Sequence, residues 1–147
     1  MVSIKSRQMG KVLTAITITN EIDRGLAARN MMSSDEVRSI TLNNVLVDTG
    51  ATLLCLPSPI IEQLGLEIVR EVDVATATGI STAKIFGGVR ITLCGREGTF
   101  DCLELPGGLE PLIGVIPLEA LGLEPDLQNQ QLRVLPEEGK NTYLTAL

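Results

Sequence analysis

Three features of the sequence predict a mainly β domain with two short helices. Apolar and polar residues alternate in strand fashion from Lys11 to Thr19 and again from Leu66 to Gly95. Turn-forming glycines, asparagines and serines punctuate those stretches. Only two segments, one after Pro57 and one after Gly114, carry helical signals.

Residues Lys11 to Thr19, where Ile16 and Ile18 alternate with threonines, predict a half-buried strand. "NEIDRG" then predicts a turn, and "NMMSSDE" an exposed loop. "EVRSITLNNVLV" predicts two β-rich runs joined by a tight turn at Asn43 and Asn44. "LLCLP" adds a short strand closed by Pro57. In "SPIIEQLG", Ser58 is a candidate N-cap, Pro59 the first helical residue and Gly65 the stop. A long hairpin follows, with its tip near Thr76 to Ser81. A second hairpin, "VRITLCGREGTFDCLEL", is predicted to turn at Gly95 to Gly98. That turn sets Cys94 across from Thr99 rather than Cys102, which argues against a disulfide between the two cysteines. Leu112 and Ile113 predict a short strand, Pro117 to Leu121 a helix, and "QQLRVLP" a last strand. The whole of 1–147 reads as one domain, with a core over about 10–135 and a loosely held tail over 136–147.

Composition narrows the function. A chain of 147 residues is long enough to bury a core. The net charge of −6, with no basic run, argues against nucleic-acid binding. Aromatic residues make up 2% and tryptophan is absent, so stacking platforms for bases or sugars are not expected. No apolar run approaches the roughly 18–20 residues that span a bilayer, so no membrane partner is expected. After Lys5, Arg7 and Lys11, "VLTAITITNE" has only a superficial likeness to a signal sequence. It alternates with threonine and lacks a small-residue cleavage site before Glu21 and Asp23.

The chain has three cysteines and no histidine. An odd count without a signal sequence predicts free thiols in a reducing, cytoplasmic setting. With no CxxC pair and no histidine, no metal site and no cofactor are expected. Serine or cysteine nucleophiles would lack their usual imidazole base. Acid–base chemistry would therefore rest on carboxylates. One stands out: in "VLVDTGATLLCLP", Asp48 interrupts two apolar runs, although aspartate is rarely buried unpaired.

Three motifs occur in order: "LVDTGA" (Leu46 to Ala51), "ATATGIST" (Ala75 to Thr82) and "PLIGVIPLEALGL" (Pro111 to Leu123). Asp-Thr-Gly alone is better read as the simple end of a strand. Together, the three motifs make the chain resemble the retropepsin-like aspartic proteases, the single-lobed relatives of retroviral proteases and pepsin, and in particular their bacterial stand-alone members. The resemblance spans roughly Val45 to Leu135. It implies a closed, orthogonal β-barrel with a flap hairpin and one or two short helices, assembled as a homodimer. The implied activity is hydrolysis of peptide bonds between apolar residues, without a cofactor.

That chemistry needs two carboxylates at contact distance sharing one proton. One activates water while the other donates to the carbonyl oxygen. Asp48 would be the acid, and Gly50 would let the backbone approach a carboxylate. By the same resemblance, the Thr49 hydroxyl bonds across to a second copy's Asp-Thr-Gly loop. One such motif in 147 residues leaves no room for two lobes, so the second carboxylate would come from Asp48 of another copy on a two-fold axis. Were one chain to hold both acids, Asp101 and Asp126 would be the first candidates.

The resemblance implies substrate contacts from Leu46 and Ala51 beside the aspartate. Further contacts would come from Ala77, Thr78, Gly79 and Ile80 at the flap tip, and from Leu112, Ile113, Gly114 and Ile116 in the third motif. Core packing is the competing role for Leu46, Ile80, Leu112 and Ile116, and an ordinary surface hairpin competes for the flap. The chain departs from the viral pattern at Thr52 and Val115, where viral enzymes commonly carry an ion-paired acid and arginine. Two rival functions follow: a non-proteolytic peptide-binding or dimerisation module on the same fold, and a plain β structural domain.

Overall fold

A computed structural model describes residues 11–136, and they are mainly β. The strands are β1 (Leu13–Asn20), β2 (Ser39–Val47), β3 (Leu54–Pro57), β4 (Glu67–Thr76), β5 (Gly79–Leu93), β6 (Arg96–Leu105), β7 (Leu112–Ile113), β8 (Leu123–Asp126) and β9 (Gln131–Val134). The first seven form one sheet in the order β1-β2-β7-β3-β6-β5-β4. Because β1 also pairs with β5, the sheet returns on itself as a ring, with β4 the outermost strand. β8 and β9 form a separate antiparallel pair. The helices are α1 (Glu21–Ala28), α2 (Ser58–Leu64) and α3 (Val115–Ala120), with a 3-10 turn at Ser34–Glu36. Aliphatic side chains fill the core. Ile16, Ile18, Leu54, Leu56, Ile91 and Ile113 are at most 1% exposed, as the near absence of aromatic residues requires.

Several local expectations are corrected. "NEIDRG" is not a turn but the start of α1. Asn20 caps it, its side-chain oxygen accepting from the Asp23 N–H at 3.0 Å, and Glu21 and Asp23 favour the helix N-terminus. Asn43 and Asn44 do not turn the chain either. β2 runs through them, and Thr14 faces Val45 while Ile16 faces Leu42, so the two asparagines form a bulge opposite Ala15. Ser58 does not cap α2: its hydroxyl donates to the Leu105 carbonyl, while Pro57 occupies the cap position.

The second hairpin turns at Cys94 and Gly95, two residues earlier than expected, both with positive φ (52° and 75°), as a tight hairpin turn requires. Thr99 therefore faces Arg90 rather than Cys94, and all three cysteines are unpaired. The third helix begins at Val115 rather than near Pro117, and β8 was not expected. The β4–β5 hairpin, β3 and β7 lie where the sequence predicts them. Lys5, Arg7 and the tail from residue 137 lie outside the described residues.

One buried charge ties the strands to α1. Asp23 is 2% exposed and accepts from the Arg38 Nε (2.8 Å), Nη2 (3.0 Å) and backbone N–H (3.1 Å). The Arg38 hydrogen bonds hold its carboxyl below the usual carboxylate value, against the opposite push of burial. A lowered folded-state value stabilises the protein above the unfolded carboxylate value of about 4, and that stabilisation is lost as pH falls through the folded one. Asp23→Asn is therefore expected to cost about 1–2 kcal/mol in urea unfolding near neutrality, a moderate figure because Arg38 is half-exposed. The gap to wild type is expected to narrow as pH falls below the unfolded carboxylate value of about 4. A gap that stays constant with pH would show that the charge plays no part.

Candidate active site

Asp48 follows directly on β2, and its surroundings are built from backbone. Its N–H donates to the Ile113 carbonyl (3.0 Å), and its own carbonyl accepts from the Ala51 N–H (3.1 Å). Its Oδ1 accepts the Gly50 N–H at 2.9 Å, which pins the carboxylate over the turn. A Cβ at position 50 would sit 3.1 Å from that oxygen, so glycine gives the carboxylate its room.

β7 holds the turn in place. It is slotted between β2 and β3, parallel to the first (Leu46 beside Leu112, Val47 beside Ile113) and antiparallel to the second (Leu54 beside Ile113). Past β7 the Gly114 N–H donates to the Leu53 carbonyl (3.0 Å). The Val115 N–H donates to Ala51 (2.9 Å) and the Ile116 N–H to Thr52 (3.0 Å). The loop after Asp48 thus rests on the first residues of α3. Thr52 and Val115 are neighbours through this backbone lattice and carry no charge.

A cleft of about 600 Å³ opens beside the turn. Gly50, Ala51, Thr52, Leu53 and Ile116 form one wall, and Arg70 with Val72 to Ala75 on β4 forms another. Cys55, Leu103 and Ile85 also line it; they sit in line across β3, β6 and β5. A second hollow of about 420 Å³ shares Val74 and Leu103 with the first and extends toward Ser58 and Leu109.

Among the candidate substrate residues, Ala51 and Ile116 line the cleft. Leu46 and Leu112 are half-buried neighbours in the sheet, and Ile113 and Gly114 are buried beneath the turn as its support. Ala77, Thr78, Gly79 and Ile80 form the exposed hairpin tip outside the cleft lining, with Ile80 77% exposed. Thr49 is exposed next to Asp48. Asp101 and Asp126 do not line the cleft; the latter accepts from Asn129. Asp73 does line it. The body of β4 is thus the wall that sequence reasoning missed, and alternation of Val72 and Val74 with charged residues was its signal.

Burial, and secondarily the charge of Asp48, push the Cys55 thiol up to about 11; burial chiefly pushes Cys102 to about 12. Both are protonated at neutral pH and are poor nucleophiles. Of the carboxylates with acid–base chemistry to offer, Asp73 lines the cleft, and Asp48, outside the lining, accepts the N–H of Gly50 that borders it.

No family model and no curated protein matches this chain. No helix among the described residues is long and apolar enough to cross a membrane.

Proposed function

We propose that the chain is a retropepsin-like aspartic endopeptidase, with a site formed by Asp48 of two copies on a two-fold axis, and that its sheet ring is the barrel of that fold. The observation that carries the reading is the backbone lattice between residues 48–53 and 113–116, which fixes the half-exposed Asp48 carboxylate over Gly50 in the cleft wall. Thr49 and Gly50 are exposed at the same turn, leaving room for a second copy to approach. β4 is the outermost strand of its sheet, with one edge unpaired among the described residues, and it lines the cleft. An extended peptide can add to such an edge while its apolar side chains enter the trough. Water held between the two carboxylates attacks the peptide carbonyl. One Asp48 takes the water proton, and the other donates a proton to the carbonyl oxygen.

The test is cleavage of an unfolded protein across pH, with and without pepstatin. Activity is expected to be bell-shaped with its maximum on the acid side of neutral, because the pair must keep one shared proton. It is expected to be blocked by pepstatin and insensitive to thiol reagents. A rate climbing steadily beyond about pH 8, or one unaffected by pepstatin, would overturn the reading. Binding of peptides without turnover at any pH would favour the non-proteolytic module instead.

A further inference from the structure

Among the described arginines, Arg24, Arg38, Arg90 and Arg133 are ion-paired, Arg96 holds backbone carbonyls, and Arg29 stands exposed at the end of α1, outside the cleft. Arg70 lines the cleft, and its guanidinium engages no partner among the described residues. Its direction is set by an irregularity of β4. Ile68 faces Phe86, but Arg70 faces Ile85, so Val69 is an extra residue with nothing opposite it. In a regular ladder Arg70 would face Lys84 and share the outer face with it. The bulge moves Arg70 to the other face, alongside Ile85, Leu103 and Cys55, whose register runs unbroken across three strands. Val72 and Val74 follow on the same face by alternation. Asp73 and Glu71 fall on the opposite one, facing Thr82 and Lys84. Arg70 is therefore the charged residue on the inward face of β4, while Asp73, on the other face, also borders the cleft.

We infer that Arg70 determines specificity by receiving a carboxylate of the peptide substrate, either an acidic side chain or a free C-terminus. This rests on the peptidase reading above and adds to it the charge pattern of the substrate. A guanidinium offers a carboxylate two parallel hydrogen bonds. Three strand spacings separate Arg70 from Cys55, which feels the Asp48 charge. At about 4.8 Å each this is at most about 14 Å, or some four residues of extended peptide. The acidic group is therefore expected several residues from the scissile bond, toward the β4 side of the cleft.

The experiment uses peptides with an apolar central pair and one glutamate walked through successive positions, each with a glutamine counterpart, plus a set with free or amidated C-termini. Wild type is expected to prefer the glutamate peptide at one position by roughly five- to tenfold in kcat/KM, mainly through KM. The preference is expected to shrink with added salt, to vanish in Arg70→Gln, and to turn toward lysine in Arg70→Glu. A preference confined to free C-termini would assign the carboxylate to the chain end. Binding of the same peptides to Asp48→Asn protein, read by fluorescence anisotropy, separates the two readings. Charge-dependent binding without cleavage by wild type supports the role of Arg70 and overturns the peptidase. Cleavage indifferent to charge overturns the role of Arg70 and leaves the peptidase standing. Neither binding nor cleavage of any peptide overturns both.

Discussion

Replacing Asp48 with Asn is expected to lower peptide hydrolysis by at least about a thousandfold while leaving the fold in place. The fold survives because Asn retains an oxygen at the position that accepts the Gly50 N–H, and the other bonds of this residue are made by its backbone. Asp48→Ala removes that acceptor as well, and is expected to cost about 1 kcal/mol more. Loss of activity in both variants, with normal unfolding in the first, separates chemistry from structure. The proposed two-copy site has a quantitative consequence. Co-refolding wild type with Asp48→Asn chains is then expected to give mixed dimers that hold one acid, with an active fraction that follows the square of the wild-type fraction. A linear decline would place a whole site within one chain. Asp73 would then be the acid to replace first, since it lines the cleft and Asp101 and Asp126 do not.

The three motif segments were legible because each is governed by local rules. Asp48 closes an apolar strand, Ala77 and Thr78 separate two alternating runs, and Leu112 with Ile113 is an apolar pair before a glycine. The errors fell where one residue type serves two geometries. Asn20 and Gly25 suggest a turn, yet here Asn20 caps a helix that Gly25 sits inside. The pair Asn43–Asn44 is a good turn, but β1 offered a longer ladder and absorbed the extra residue as a bulge. The cleft wall escaped for a related reason. A single extra residue, Val69, decides which face Arg70 occupies, and nothing local in the sequence announces it. Likewise, the support given by Ile113 and Gly114 to the Asp48 turn is a contact across more than sixty positions of chain, which periodicity does not encode.

That support yields the second large expected effect, at Gly114. Its backbone has φ −94° and ψ −171°, which any residue adopts, so alanine meets no conformational penalty there. The obstacle is steric. A Cβ at this position would lie 2.5 Å from the Ala51 carbonyl oxygen and 2.6 Å from the carbonyl carbons of Ala51 and Thr52. These are backbone atoms, with no rotamer to move aside, so the loop itself must retreat. Retreat strains the three hydrogen bonds from Gly114, Val115 and Ile116 to Leu53, Ala51 and Thr52. At about 1 kcal/mol each, with a further 1 kcal/mol or more for overpacking, Gly114→Ala is expected to lose about 3–5 kcal/mol. That is a large share of the 5–15 kcal/mol typical of a domain. Gly107→Ala is the matched control, since a Cβ there meets nothing within 4 Å, and it is expected to unfold like wild type. Amide exchange at Gly114, Val115 and Ile116 is expected to quicken in the folded state of the variant, because their acceptors move away. On the proposed shared site, activity is expected to fall further than stability accounts for, since displacing the loop displaces Asp48 from the second carboxylate. A Gly114→Ala protein within about 1 kcal/mol of wild type, with unchanged exchange at those amides, would mean that the loop yields freely and that the lattice does not set the geometry of the site.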